Sequence, residues 1–279
     1  NYMDSITDDV GLMDDWLSAK VRMNLSKWID AMNDVRIREG VMISHFDMLS
    51  DLQWAIRRGG IGRNTLLIFM KKWGQMLYPA TPHLAEEWNH IIGENRLLAE
   101  TVIINDAENK NDIVTLAAES TLRNLIDNSR NVKGLAERHT NSTLTKLVIQ
   151  TSPKWKIELM LEAIELHAQN FDFMKEGQSF IQSHSLFQDD SKRGEVMQYW
   201  RMLTIGSKKS RGRVFTLTKG ERVLITSGFD EAEYIMKASD FISETIDVRG
   251  VAVYAAGTEE DIAGKAKFAI PLQPGLAFI

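Results

Sequence analysis

The sequence predicts a mainly helical α+β protein: a helical bundle over residues 1–106, then a smaller mixed α/β domain over 107–279. Three observations carry that prediction. Apolar residues recur at spacings of three and four through the first hundred positions, as helices with one buried face require. The texture changes after about residue 105, where the polar stretch Asp106–Asp112 reads as a link. Beyond it, short β-branched runs alternate with helical ones, the pattern of a mixed domain. With 279 residues, 44% of them hydrophobic, the chain can bury a sizeable core as one large domain or two ordinary ones.

Residues 1–10, with Asp4, Asp8 and Asp9, read as a solvated lead-in. A helix then follows Leu12, Trp16, Leu17, Val21, Leu25, Trp28 and Met32, and a second fits 36–57. Arg57-Arg58-Gly59-Gly60-Ile61-Gly62-Arg63-Asn64 breaks the pattern. A third helix runs from Thr65 to Tyr78 and stops at Pro79. A fourth starts at Thr81-Pro82, with Thr81 as the expected N-cap and Glu86 and Glu87 suiting the helix dipole. Short links between antiparallel helices make a bundle. In the second half, Ile113–Ser129 reads as helix, Thr145–Gln150 as strand, and Pro153 opens a helix to Gln169. Helical pieces follow near 171–182 and 193–204. Arg213–Leu217 and Arg222–Ile225 read as β-like, Phe229–Ile242 as helix and Val248–Tyr254 as strand.

Composition narrows the classes. There is no cysteine, so disulfides and thiolate metal sites are excluded, and a cytoplasmic home is expected. No stretch of about 18 apolar residues occurs, so no membrane partner is expected, and no secretory leader is seen. Because the chain opens on Asn1, it reads as a fragment. The net charge of −5 argues against indiscriminate nucleic-acid binding but permits a local basic patch.

Such a patch exists. Lys208, Lys209, Arg211 and Arg213 crowd one Ser/Gly-containing loop, and 208–222 holds six basic residues against Glu221 alone. Cations on a loop suit phosphate contact, which supplies affinity without sequence choice; the plainer reading is a solvated hairpin loop. Arg57, Arg58 and Arg63 flank the glycine break, where backbone contact competes with a helix C-cap followed by solvated arginines. A phosphate-cradling loop would need a preceding strand and a lysine, and neither is present. The histidines are scattered, so no metal site is assigned. Glu158, Glu162 and Glu165 share a helix as a wet face. The seven tryptophans fall on apolar faces and read as core. No catalytic residue is assigned, His83 having no partner nucleophile.

Two segments carry a family resemblance. Pro79-Ala80-Thr81-Pro82-His83-Leu84-Ala85-Glu86-Glu87-Trp88 resembles a corner in the helical anticodon-binding bundle of class I aminoacyl-tRNA synthetases for leucine, valine, isoleucine and methionine. As local physics it is a helix corner, with Leu84, Ala85 and Trp88 expected to pack inward. The helix bearing Asp14-Asp15-Trp16-Leu17 is similar to that bundle's opening helix. The closing string Gly264-Lys265-Ala266-Lys267, followed by Ala269, Pro271, Pro274 and the apolar pair Phe278-Ile279, resembles the end of the archaeal and eukaryotic leucyl-tRNA synthetases.

The resemblance implies an anticodon-binding-type bundle followed by a C-terminal tRNA-binding domain, in a ligase of protein biosynthesis. It implies tRNA-Leu and the catalytic and editing parts of the synthetase as partners. ATP and Mg would serve the full-length enzyme, with no cofactor in this fragment. It implies that the C-terminal domain contacts the long variable arm, with Phe278 and Ile279 approaching bases at its tip, and Lys265 and Lys267 are taken as further tRNA-binding residues. Exposed bases do stack on apolar groups; the alternative is that Phe278 and Ile279 complete a sheet strand. The class I nucleotide-fold signatures are missing from these residues, so the fragment alone is expected to be inert. Rival readings are the matching region of a valyl or isoleucyl enzyme, and a helical protein-binding scaffold, which the 13 methionines would suit.

Overall fold

The computed structural model describes residues 6–104, 109, 111–140, 144–207, 210–255, 264–265 and 267–279. It is mainly helical with a few short strands. The chain divides into two compact units, Asn1–Leu116 and Ala117–Ile279.

The first unit is a helical bundle. A short strand β1 (Ile6–Thr7) pairs in parallel with β2 (Ile61–Gly62). The stretch expected to be a solvated lead-in is therefore partly tied to the glycine break. The carboxylate of Asp14 fastens the same place, accepting from the backbone N–H of Gly11 at 2.9 Å and of Gly62 at 2.7 Å. Helix α1 (Asp14–Asn33) buries Trp16, Leu17, Val21, Leu25 and Trp28 on one face. Helix α2 (Ile37–Met42) continues through a π-turn at Ile43–Asp47 into α3 (Met48–Arg58). The indole of Trp73 donates to the carbonyl of Ser44 in that turn at 2.6 Å. A side chain entering the helical ladder is a usual cause of such a local expansion. Asn24 and Lys20 of α1 both reach the buried Asp51 of α3, at 3.0 and 3.4 Å. Helix α3 ends at Gly59-Gly60, where Gly60 takes φ +83°. Helices α4 (Arg63–Leu77) and α5 (Pro82–Ile91) complete the unit.

Helix α6 (Asp112–Thr140) is longer than its apolar pattern predicts. Within the first unit, Arg22 grips Asp112 through two bonds of 2.7 Å. Those hydrogen bonds hold the Asp112 carboxyl below its ordinary pKa, against the opposing effect of burial.

The second unit centres on a three-stranded sheet in the order β6 (Gly250–Tyr254), β3 (Lys146–Gln150), β7 (Gly275–Phe278). Strand β3 pairs in parallel with β6 and antiparallel with β7. Leu147, Val148 and Ile149 of β3 are all buried, as a central strand covered on both faces requires. Between β3 and β6 the chain forms α7 (Lys154–Ala168), α8 (Gly177–Ser183), α9 (Arg193–Thr204), the hairpin β4 (Gly206–Ser207) and β5 (Ser210–Arg211), α10 (Arg213–Thr216), α11 (Lys219–Thr226), α12 (Glu231–Lys237) and α13 (Ser239–Ile246). Leu159, Met160, Ala163, Trp200, Leu203 and Val214 form the core beside it.

Two β-like runs of the sequence are helices instead. Arg213–Leu217 enters α10 and Arg222–Ile225 lies in α11. Their buried residues, Val214 and Leu217 and then Leu224 and Ile225, sit three apart or adjacent, whereas a half-buried strand would alternate. The start of α11 is fixed by a capping box: Thr218 accepts from the Glu221 backbone, and Glu221 accepts from that of Thr218. Runs of four or five residues are too short for β-branching alone to overrule such a signal.

Candidate RNA interface

In the first unit the corner motif is held by its neighbours. Trp88 packs edge-on against Trp73 at 5.4 Å and donates to the Met70 carbonyl at 3.2 Å. Ala85 is buried, but Leu84 and His83 face solvent, against the expectation that Leu84 packs inward. One residue beyond Leu84, only the Ala85 side of α5 meets α4. Thr81 occupies the N-cap position without capping, because its hydroxyl donates backwards to the Leu77 carbonyl at 3.2 Å. Glu86 serves elsewhere too, accepting from the backbone N–H groups of Leu98 and Ala99.

The arginines at the glycine break separate. Arg57 is exposed and lies over the Trp54 ring. Arg63 is exposed and bonds Asp8 at 3.1 Å. Arg58 is only 7% exposed, so the expectation of a solvated arginine is corrected there. It sits in the last turn of α3, where the helix pattern turns it inward.

In the second unit the basic loop is a hairpin between β4 and β5. Lys208 and Lys209 lie outside the described residues. Arg211 faces solvent. Arg213 is not a solvated loop cation: it pairs with Glu221 at 2.6 Å, with both side chains mostly buried. That pairing and the Thr218 hydrogen bonds hold the Glu221 carboxyl below its ordinary pKa, although burial, the largest single influence, opposes them. Nor is the Ser-Arg-Gly-Arg segment loose. Gly212 is buried, and a Cβ there would stand 2.5 Å from the Leu203 carbonyl oxygen. Glycine is required by that close approach of two backbones.

The C-terminal segment is anchored at three points. Ile270 and Gln273 bond reciprocally around Pro271-Leu272, where Leu272 takes φ +64°. Lys156 of α7, 3% exposed, donates to the carbonyls of Lys267 at 2.7 Å and Ala269 at 2.8 Å. Burial lowers its ammonium pKa, partly offset by Glu195. Glu231 of α12 accepts from the Leu272 N–H at 3.3 Å. Its other oxygen is shut from water without a hydrogen-bond partner, and burial pushes the carboxyl up to about 8.

Beyond these anchors the tail forms β7. Phe278 sits opposite Leu147, and Ile279 exchanges backbone bonds with Lys146. The strand alternative for these residues is what the structure contains, yet Ile279 remains 55% exposed. Upstream, Phe268 is 64% exposed, with the ammonium of Lys267 at 4.9 Å and that of Lys265 at 5.7 Å from its ring centre. An apolar ring between cations is the arrangement that holds an unpaired base and its phosphates.

Sequence reasoning missed Lys156 and Glu231. Lys156 shares a helix face with Leu159 and Met160, so its burial was readable from spacing. For Glu231 the sequence carries no signal. Among the described residues no group of three or more histidines and carboxylates could hold a metal ion, and no helix is long and apolar enough to cross a membrane.

No protein-family model matches the chain. Its curated relatives are leucine–tRNA ligases of archaea. That of Methanococcus maripaludis strain S2 is 26% identical over 275 residues, 98% of this chain and 25% of the relative. That of Methanosarcina acetivorans is 23% identical over 273 residues, 98% of this chain and 27% of the relative. That of Methanothrix thermoacetophila is 28% identical over 158 residues, 57% of this chain and 16% of the relative. The chain thus spans about a quarter of the length of the full-coverage relatives. The chain is thus similar to archaeal leucine–tRNA ligases along nearly the whole of its length.

Proposed function

We propose that this chain is the C-terminal, tRNA-docking part of a leucyl-tRNA synthetase, inert by itself. Its role is to hold tRNA-Leu for ATP-dependent leucylation by a catalytic domain outside these residues. The observation that carries the reading is the similarity to leucine–tRNA ligases along nearly all of the chain. The same matches favour leucine over the valine and isoleucine enzymes. Affinity comes from cations against phosphate: Lys208, Lys209 and Arg211 on the hairpin, Lys265 and Lys267 near the tail, and Arg57 and Arg63 on the first unit. Choice comes from the tail, where Phe278 and Ile279 approach the variable arm. Ile279 offers an exposed apolar side chain for a base, and the outer edge of β7 offers backbone groups.

Binding of the chain to tRNA-Leu at two salt concentrations tests this. Affinity should fall steeply as salt rises, because neutralising phosphates releases counterions. Salt-insensitive binding, or none, would favour the protein-scaffold reading. Leucine-dependent exchange of pyrophosphate into ATP by this chain would contradict its inertness.

A further inference from the structure

We propose that a cleft beside the β4–β5 hairpin is a nucleotide site, built for one phosphate and one base. The cleft, about 710 Å³, is lined by Arg201 of α9, Arg211 of β5 and Arg213 of α10. Met197, Met202 and Ile270 form its apolar wall, and among the described residues no aspartate or glutamate lines it. In a chain of net charge −5, two guanidinium groups without a carboxylate partner and a third paired with Glu221, around one hollow with no acid among its described lining residues, make a local anion site.

Within the cleft the three arginines differ in their pairing. Arg201 and Arg211 meet none among the described residues. Arg213 meets Glu221, but its Nε is buried without a partner. A guanidinium fork matches phosphate geometry through two parallel hydrogen bonds. The two methionines and Ile270 give a soft apolar face on which a base can lie, and methionine adapts to such shapes. Gln198 and Gln273 line the same cleft and can bond base edges. A bare phosphate would use the arginines and leave the apolar wall wet, so the occupant is a nucleotide.

The nucleotide can come from a bound RNA strand or as a free monophosphate. This inference goes beyond the tRNA-docking reading and leans on it only for the first source. The test is calorimetric titration of the 279-residue chain with AMP, GMP, CMP and UMP, and separately with inorganic phosphate. Saturable binding of nucleoside monophosphates, tighter than that of phosphate, is expected. Arg201→Gln and Arg211→Gln should each weaken it about tenfold, one charge-assisted contact apiece. Neither variant should move the melting temperature, since neither side chain holds a protein carboxylate. Absence of saturable binding, or binding indifferent to both variants, overturns the site. Displacement of the monophosphate by tRNA-Leu supports an RNA source. Monophosphate binding that persists beside bound tRNA overturns that source and assigns the cleft to free nucleotide. Monophosphate binding by a chain that takes up no tRNA leaves the cleft standing while the docking reading falls.

Discussion

The ammonium of Lys156 donates to the carbonyl of Ala269 at 2.8 Å, and both residues are buried. Through this bond and its twin to Lys267, a helix residue holds the backbone just ahead of the tail. The ring of Tyr199 lies 5.6 Å from the same ammonium, and its hydroxyl donates to the Lys156 carbonyl. Lys156→Met keeps the bulk and strands two carbonyls. It should cost about 2–4 kcal/mol, as loss of a buried charged donor does. Thermal melting should show a drop of several degrees. Limited proteolysis should cut first near 264–270.

Glu231 makes stability depend on pH. Its carboxyl titrates near 4.5 when unfolded and near 8 when folded. Between those values the folded state holds a proton that the unfolded state lacks. Its contribution is therefore complete below about pH 4.5 and is lost as pH rises through about 8. Lys154 and Asp230 line a small cleft together with Glu231 and are the charged groups that share it. Glu231→Gln keeps an acceptor for the Leu272 N–H and removes the ionisation. Chemical denaturation across pH 5–9 should show the variant gaining stability over the parent as pH rises, by a few kcal/mol at most, on the order of the shift. Parallel pH profiles would contradict this.

Gly212 is the test of the hairpin. Gly212→Ala places a methyl against the Leu203 and Thr204 backbone and should cost about 1–3 kcal/mol, as overpacking does. Gly194→Ala, with open space around its Cβ position, is the matched control and should change stability little. Equal effects in the two variants would mean that the close approach carries no strain.

Much of this was legible in sequence. The helices of the first unit announced themselves through long three-and-four spacing, and β3 and β6 through compact β-branched runs. Where the fold departs from the sequence reading, the physical causes are local. Arg213–Leu217 and Arg222–Ile225 looked like strands because branched residues crowd them. What decides for helix is one capping box, Thr218-x-x-Glu221, a local signal the sequence does carry, and the Arg213–Glu221 pair, which it does not show. Lys-Lys-Ser-Arg-Gly-Arg read as one solvated cationic loop, yet Arg213 turns inward because Gly212 presses against the end of α9. Arg58 turns inward by its position on the α3 face. Arg201 was invisible as a site residue, since its meaning depends on which charges are not near it. The cation–ring cluster of Lys265, Lys267 and Phe268 was half visible, as two lysines without the ring.

The proposed role is to dock tRNA-Leu and to read its variable arm. The most direct measurement is the affinity of the chain, with and without Phe278-Ile279, for tRNA-Leu and for tRNA-Leu with that arm shortened. Shortening the arm should weaken binding to the intact chain about tenfold, about 1.4 kcal/mol. Deleting the two residues should cause a similar loss on the full tRNA and little further loss on the shortened one. Equal affinity of the intact chain for both RNAs would contradict it.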